Sequence, residues 1–579
     1  MANADKLFAR AQQAHRAGDF QKAMRLYRDV LRVAPRHLDA CYLLGTLQAT
    51  SGDLAAAAAT LQEAAAIGPR SAQVHTNLGL VLKMLGRREQ AEISFRHALA
   101  IDASLPQAAN NLAALLIDCG RPVEAEALAR QAAGCGPDAA AYALVQLANA
   151  QAAQGRVSDA VGTLQLLLER DPDHRVGWGN FLSLLHYDVT RTREQVYASH
   201  CLWGRRFAPA VGLKAFTRRD GKLRIGYLSP DFLGHPVGQL IEPVIAGHDR
   251  GRFEVFLYSD TDASDALTER LRAVPGVVWR DVLKLSDVAV AERIRGDGID
   301  ILVELAGHLI GNRLPMFALR AAPVQVSYLG YPGSTGLAAI DHAISDANFD
   351  PPDEANDWYA ENLVRLDRPA FCYTPPADAP EIAAAPSPRP FRFGAFNTLQ
   401  KLNDEVIRVW ARILVDVPDS VLVMQAKGLD DELLRQSLGE RFSRHGVGAG
   451  RIEFHSFGSL REHQALVSGT HLCLDPWPWN GHMTTLNCLW MGVPVLSMTG
   501  NRRATRMGKC ILSAVGLDDF VADSSAAYIA LALAKAAATD ELQVLRGSLR
   551  QRLLDSPMTD ADGLVAALEA AYFKMLPVS

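Results

Sequence analysis

The sequence predicts an array of helical hairpins followed by two α/β halves, and three observations carry that prediction. Gly18, Gly52, Gly86, Gly120 and Gly155 recur at spacings of 34, 34, 34 and 35 residues. From Gly221 onward, short apolar, β-branched runs alternate with helix-length segments. A proline-rich stretch, TPPADAPEIAAAPSPRP (374–390), interrupts the alternation because proline cannot continue either element. A chain of 579 residues is too long for one core, and 49% hydrophobic with 21% charged residues is the balance of a folded globular protein.

In the array, each glycine is followed five residues later by Ala23, Ala57, Ala91, Ala125 or Ala160. Pro35, Pro69, Pro137 and Pro172 keep the same period, with Ala103 in place of one proline. A glycine at the turn, a small residue where two helices touch and a closing proline make the tetratricopeptide pattern. Each hairpin buries its apolar stripe only against its neighbours, so five units stack into a superhelix whose concave face suits peptides or proteins. A purely structural spacer is the plainer alternative. Asn77 and Asn111 share one position on consecutive first helices, where amides can clamp a peptide backbone, while Ala9, Leu43 and Gln146 break that ladder. The array is placed at 1–180 and a helical junction, with Trp203 and several basic residues, at 181–220.

The first α/β half, 221–380, holds KLRIGYLSPDF, FEVFLYSD, IDILVELAG and PVQVSYLGYPGSTG. The second, 381–579, holds FRFGAF, SVLVMQAKG, RIEFHSFG, THLCLDP and VPVLSM, with NDEVIRVWARILVDVPDS reading as a helix. Strands that alternate with helices form parallel sheets, whose ligands sit outside the carboxyl ends of the strands. The cleft between the halves is therefore the expected site.

A net charge of −5 argues against a general nucleic-acid binder. Eight scattered cysteines with no C-x-x-C pair read as reduced thiols of a cytoplasmic protein. The N-terminal MANADKLFARAQQ has no apolar core of a signal peptide, and no run of about 18 apolar residues occurs, so no membrane association is expected.

Candidate chemistry concentrates at strand exits. In LDPWPWNGHMTTLNCLWMGVPVL (474–496) a strand ends, two Trp-Pro pairs stiffen a loop, and a helix begins near Met483. Backbone N–H groups around Gly481 and His482, with the hydroxyls of Thr484 and Thr485, form an anion site at the positive helix end; a plain N-cap is the alternative role for the threonines. Thr398 and Lys401, in GAFNTLQKLND, follow another strand, where Lys401 can neutralise phosphate. His463 follows a third strand and can reach a base. In the first half, SPDFLGHP sets His235 in a turn after a strand, and histidine suits proton abstraction near neutrality; a packed loop histidine is the competing reading. LGYPGSTG (329–336) is a glycine-rich exit that brings backbone close to a ligand. SDTD (259–262) is a weak metal motif, and no G-x-S-x-G is present.

Tetratricopeptide repeats followed by GHP, LGYPG and DPWPWNGHMTT in this order resemble glycosyltransferase family 41, along almost the whole chain. The resemblance implies a GT-B architecture of two Rossmann-like lobes. It implies an inverting, metal-independent transfer of N-acetylglucosamine from UDP-GlcNAc to Ser or Thr hydroxyls of proteins guided along the repeats. Carried over, His235 is the candidate base and Lys401 contacts the diphosphate. His482, Met483 and Thr484 hold the phosphates, His463 lies by the uracil, Asn487 by the ribose, and Gly330, Tyr331 and Pro332 border the sugar. A second base at the junction has His174, His186 and His200 as candidates. Asn487 stands where animal members have an aspartate and Leu460 where they have a lysine, which weakens nucleotide binding. Another donor such as GDP-fucose, or a scaffold with a degenerate nucleotide site, are the alternatives.

Overall fold

The computed structural model describes residues 2–208, 221–376, 379–384 and 386–576. The end of the expected junction, 209–220, and parts of the proline-rich break lie outside the described residues. The chain divides into two compact units, one of Met1–Gln154 with Gly162–Pro172, the other of Gly155–Val161 with Asp173–Ser579.

Ten helices make five hairpins, from Ala2–Arg16 and Phe20–Val33 to Pro137–Ala153 and Val157–Arg170. The five periodic glycines all have φ between 74° and 87°, the left-handed turn that favours a residue without Cβ. The five periodic alanines are fully buried, because a larger side chain would hold the paired helices apart. Asp19 and Asp53 cap the second helices of the first two repeats by accepting from Lys22 N and Ala56 N. The proline period slips once. Pro137 is the first residue of the Pro137–Ala153 helix, a position where its missing N–H costs nothing, instead of closing the preceding repeat.

Asn77 departs from its expected role. Its amide nitrogen donates to Tyr42 Oη at 3.0 Å and Thr46 Oγ1 at 3.2 Å, so it ties two consecutive repeats together and leaves only its carbonyl for a peptide. Asn111 is half-buried.

In the second unit, two helices (Arg175–Leu185 and Arg193–Phe207) precede two parallel sheets. The first sheet contains β1 (Leu223–Ser229), β2 (Phe253–Ser259), β3 (Val277–Asp281), β4 (Ile301–Glu304), β5 (Val324–Ser327), β6 (His342–Asp346) and β7 (Asn362–Leu366), in the order 3-2-1-4-5-6-7. The second contains β8 (Phe391–Ala395), β9 (Ser420–Gln425), β10 (Ile452–His455), β11 (Leu472–Leu474), β12 (Val495–Met498) and β13 (Val521–Ala522), in the order 10-9-8-11-12-13. All pairings are parallel, for example Ile225 beside Ile301 and Leu472 beside Phe393. Inner strands such as β1, covered by helices on both faces, are buried along nearly their whole length. In each sheet the order reverses beside the first strand, so the crevices open after β1 and β4 in one lobe and after β8 and β11 in the other. This is the two-lobed GT-B arrangement.

The second lobe does not keep all of 381–579. The last helix, Ala561–Met575, packs on the first lobe, against the Pro236–Gly247 helix and β7. Buried His248 joins the two, with Nδ1 at 3.0 Å from Glu569 and Nε2 at 2.8 Å from Tyr227 Oη, which also meets Tyr572 Oη. An amphipathic helix announces in sequence that one face is covered, but not by which lobe.

No helix among the described residues is long and apolar enough to cross a membrane.

Candidate functional site

The loops that leave β8 and β11 converge on Lys401. The first, Phe396 to Lys401, ends in a short 3-10 turn; Asn403 then caps the Asp404–Asp416 helix through Val406 N and donates to Trp477 O at 2.6 Å, which fixes the second loop beside the first. Lys401 Nζ donates to Asn480 O at 2.7 Å and Asn397 Oδ1 at 3.2 Å. The ammonium sits 6.0 Å from the centre of the Trp479 ring. Burial lowers the Lys401 pKa to about 8, against the pull of Asp475.

Asp475, at the end of β11, is the buried counter-charge. It accepts from Gly481 N at 2.6 Å and Ser497 Oγ at 2.7 Å, and burial pushes its carboxyl up to about 7. Gly481 is needed at this point. A Cβ there would lie 2.6 Å from Thr485 Oγ1 and 3.0 Å from Asp475 Oδ1. Asn480 is fully buried and donates to Pro476 O and Met498 O, so the turn is held from both ends.

The helix Met483–Trp490 begins at His482 with no side chain capping its first turn, which leaves the positive helix end for an anion. His482 is held neutral: burial, with Lys401 and Arg503 nearby, lowers its pKa to about 3. Its ring meets Phe371 edge-on at 4.3 Å, and its Nε2 is buried without a partner. Thr484 is half-buried and Thr485 buried, while Thr398 is exposed and contributes its carbonyl, which accepts from Lys401 N.

Beside this helix lies a cavity lined by His463, Met483, Asn487 and Leu460 of the second lobe, with Tyr373 and, from the first lobe, Gln239. His463 Nδ1 is 2.5 Å from Gln425 Oε1, and burial lowers its pKa. Asn487 Oδ1 accepts from Tyr373 Oη at 2.9 Å. Leu460 starts a helix at the rim, where it is mostly exposed. The expected base and ribose residues thus share one cavity.

In the first lobe, His235 caps the Pro236–Gly247 helix. Its Nδ1 lies 3.3 Å from Val237 N and 3.5 Å from Asp231 Oδ2, and its side chain is 38% exposed. These two contacts demand opposite tautomers. Accepting from Val237 puts the proton on Nε2, whereas donating to Asp231 frees Nε2 as a base. Asp231, its carboxyl raised by burial, is a functional candidate that the sequence reading passed over.

Leu329 has a φ of 62°, and a Cβ on Gly330 would come within 1.9 Å of Leu305 O, so the LGYPG loop lies directly on the β4 exit. Tyr331 does not present its hydroxyl to a ligand: that group is buried, 2.6 Å from His200 Nε2 and 3.2 Å from Leu182 O. Pro332 lines a separate cavity beneath the Arg193–Phe207 helix. The junction histidines also divide. His174 caps a helix through Gly177 N, while His186 and His200 cluster with His308 and Tyr331. Burial lowers all three clustered imidazoles, His200 to about 4.

In SDTD, Arg313 donates to both carboxylate oxygens of Asp260 at 2.8 Å. Among the described residues no group of three or more His, Cys, Asp or Glu side chains converges as metal ligands would.

Comparison with known proteins agrees with this architecture. Tetratricopeptide repeat profiles match residues 14–80, 72–105, 106–131 and 142–174. The profile of Glycosyl transferase family 41 matches residues 208–373 and 389–568. The chain is 37% identical over 423 residues to a probable UDP-N-acetylglucosamine–peptide N-acetylglucosaminyltransferase SPINDLY of Oryza sativa subsp. japonica, covering 70% of this chain and 45% of that protein. It is 33% identical over 404 residues to the corresponding probable enzyme SEC of Arabidopsis thaliana, covering 66% and 40%. The chain therefore spans less than half the length of these curated relatives. A solved structure of a mutant O-GlcNAc transferase from Thermobaculum terrenum superimposes with a TM-score of 0.71 at 33% identity, covering 99% of this chain and 97% of the other. With its repeats, its two parallel-sheet lobes and this match across both of them, the chain belongs to glycosyltransferase family 41.

Proposed function

We propose that this protein transfers N-acetylglucosamine from UDP-GlcNAc to Ser or Thr hydroxyls of protein acceptors, with inversion and without a metal. The observation that carries the reading is the half-buried Lys401 beside an uncapped helix start, adjoining the cavity that His463 and Asn487 line. Together these supply a diphosphate site and a nucleoside site in the order a nucleotide sugar requires.

In the proposed reaction the acceptor oxygen forms a bond to the anomeric carbon as the bond from that carbon to the diphosphate oxygen breaks. His235 takes the hydroxyl proton on Nε2, with Asp231 holding the tautomer that permits it. UDP leaves with its new charge against the Lys401 ammonium and the first-turn amides of the Met483–Trp490 helix. That cationic site does for the diphosphate what a divalent cation does elsewhere. The family and the named activities of its relatives support a protein acceptor; the repeats are the surface proposed to guide it.

Calorimetric titration with UDP and GDP, in EDTA and then with magnesium, tests this reading. UDP is expected to bind more tightly, equally with and without magnesium. Lys401→Ala is expected to weaken it by about 1.5–3 kcal/mol, the scale of a hydrogen bond to a charged group. A preference for GDP would move the donor to a guanosine-linked sugar such as GDP-fucose.

A further inference from the structure

A second, partly open cavity lies where three parts of the second unit meet. The Arg175–Leu185 and Arg193–Phe207 helices contribute His186, Arg193 and Tyr197; the first lobe contributes Trp358; the loop after β12 contributes Arg502 and Arg503. None of the residues assigned above to the diphosphate or nucleoside lines it, whereas Pro332, expected beside the sugar, and the junction histidines His186 and His200 do.

Its polar groups are oddly unfinished. His186 is 3% exposed, its ring lines the cavity, and neither nitrogen has a hydrogen-bond partner. A buried polar group without a partner costs about 1–3 kcal/mol, so such groups mark places where something is missing. Arg502 is buried and donates only to the carbonyls of Leu185 and Asp188. Arg193 donates to Glu354 O and Asn501 O, and its Nε is buried without a partner. Neither guanidinium forms an ion pair among the described residues, whereas Arg503 is matched by Asp350 at 3.3 Å. Two guanidiniums thus stand at the site without an ion-pair partner among the described residues, and burial lowers the Arg502 pKa to about 10 against the pull of the more distant Asp188 carboxylate.

One wall is apolar and flat. The Trp358 ring lies under the Arg193 guanidinium at 4.7 Å and edge-on to Tyr197 at 6.2 Å, with Pro332 and Val196 beside them, while Ser334, Asn501 and the Asp350 carboxylate that pairs with Arg503 are polar lining. Unpaired positive charge calls for an anion, and arginine forks match a carboxylate. Aromatic walls call for a planar apolar body.

We propose that this cavity is a second ligand site, which takes a small organic carboxylate with a planar apolar body. Bound there, the carboxylate neutralises Arg193 and Arg502, and the ligand bridges the helix pair and both lobes. The site also touches the machinery described above. His186 packs on Tyr331 at 4.9 Å and on Trp479 at 5.9 Å, and the other side of the Trp479 story is the Lys401 ammonium. Occupancy therefore bears on the seam between the lobes and acts as a regulatory input. The inference stands independently of which sugar nucleotide the protein uses.

Benzoate is the test probe and benzyl alcohol its uncharged counterpart, applied to the full chain in calorimetry and thermal unfolding. Benzoate is expected to bind saturably below about 10 mM and to raise the unfolding temperature, as any ligand of the native state does. Benzyl alcohol is expected to do neither. Arg193→Gln and Trp358→Ala alter half-exposed residues, and each is expected to weaken benzoate at least about tenfold while unfolding cooperatively on its own. Saturating UDP is expected to leave benzoate bound. Absence of saturable binding, equal binding of benzyl alcohol, unchanged affinity in both variants, or competitive displacement by UDP would each overturn the proposal.

Discussion

Lys401 and His235 stand at equivalent places in their lobes, each in the loop that leaves the first strand of a parallel sheet, yet their surroundings are opposite. Lys401 is half-buried and held by Asn480 O and Asn397 Oδ1, with Asp475 behind it. His235 is partly exposed, and its Nδ1 hovers between Val237 N–H and the Asp231 carboxylate at distances too long for a firm bond to either. The second lobe is prepared before any ligand arrives, with an ammonium already stripped of water and a turn fixed by Asp475, Asn480 and Gly481. The first lobe leaves its candidate base adjustable. A diphosphate is the same in every turnover and rewards a rigid site, while acceptors differ and reward an open one.

Three experiments sharpen or break this contrast. The largest effect is expected for His235→Ala, which should reduce turnover by about 10²-fold or more while leaving the UDP dissociation constant nearly unchanged. Lys401→Ala, by contrast, should lower turnover and raise that dissociation constant. Measuring single-turnover rates beside UDP affinity separates the two, and parallel losses in both variants would erase the division between the lobes.

A smaller, thermodynamic effect follows from burial. Lys401 is lowered to about 8, so above that pH the free protein holds it largely neutral. A bound diphosphate favours the charged form and raises the pKa, so UDP binding near about pH 9 should take up close to one proton. Titrations in two buffers of different ionisation enthalpy count it. No uptake would place the diphosphate away from Lys401.

The smallest effect concerns Asn487. Asn487→Asp would give Tyr373 Oη and a ribose hydroxyl a charged acceptor, and UDP affinity should rise by up to about tenfold. A loss of affinity instead would mean that the bond from Tyr373, at 2.9 Å, is made to a neutral amide for a structural reason.

The sequence was most legible where a physical constraint repeats. Five glycines and five alanines at a common period could be assigned to turns and helix contacts because the same left-handed backbone and the same close approach occur five times. Inner strands were legible as apolar runs, but β3, β6 and β7 mix polar and apolar residues, and β13 has only two residues. Periodicity has little to work with there. Asp475 and Asp231 escaped notice because an aspartate after a strand is ordinary in sequence; only burial turns it into the partner of a lysine or a histidine. Tyr331 shows the reverse case, a motif residue whose hydroxyl is taken by His200, 131 residues away along the chain.

By itself, then, the sequence determined the order of repeats and lobes, the glycines each turn demands and the loops that reach the crevices, because local geometry and the parallel-sheet rule depend on short stretches of chain. Which charges are buried, which two partners compete for His235 Nδ1, where the last helix docks and how two arginines come to lack an ion-pair partner were decided only by the tertiary structure. Those properties arise from desolvation and from partners distant in sequence, and no local pattern records either.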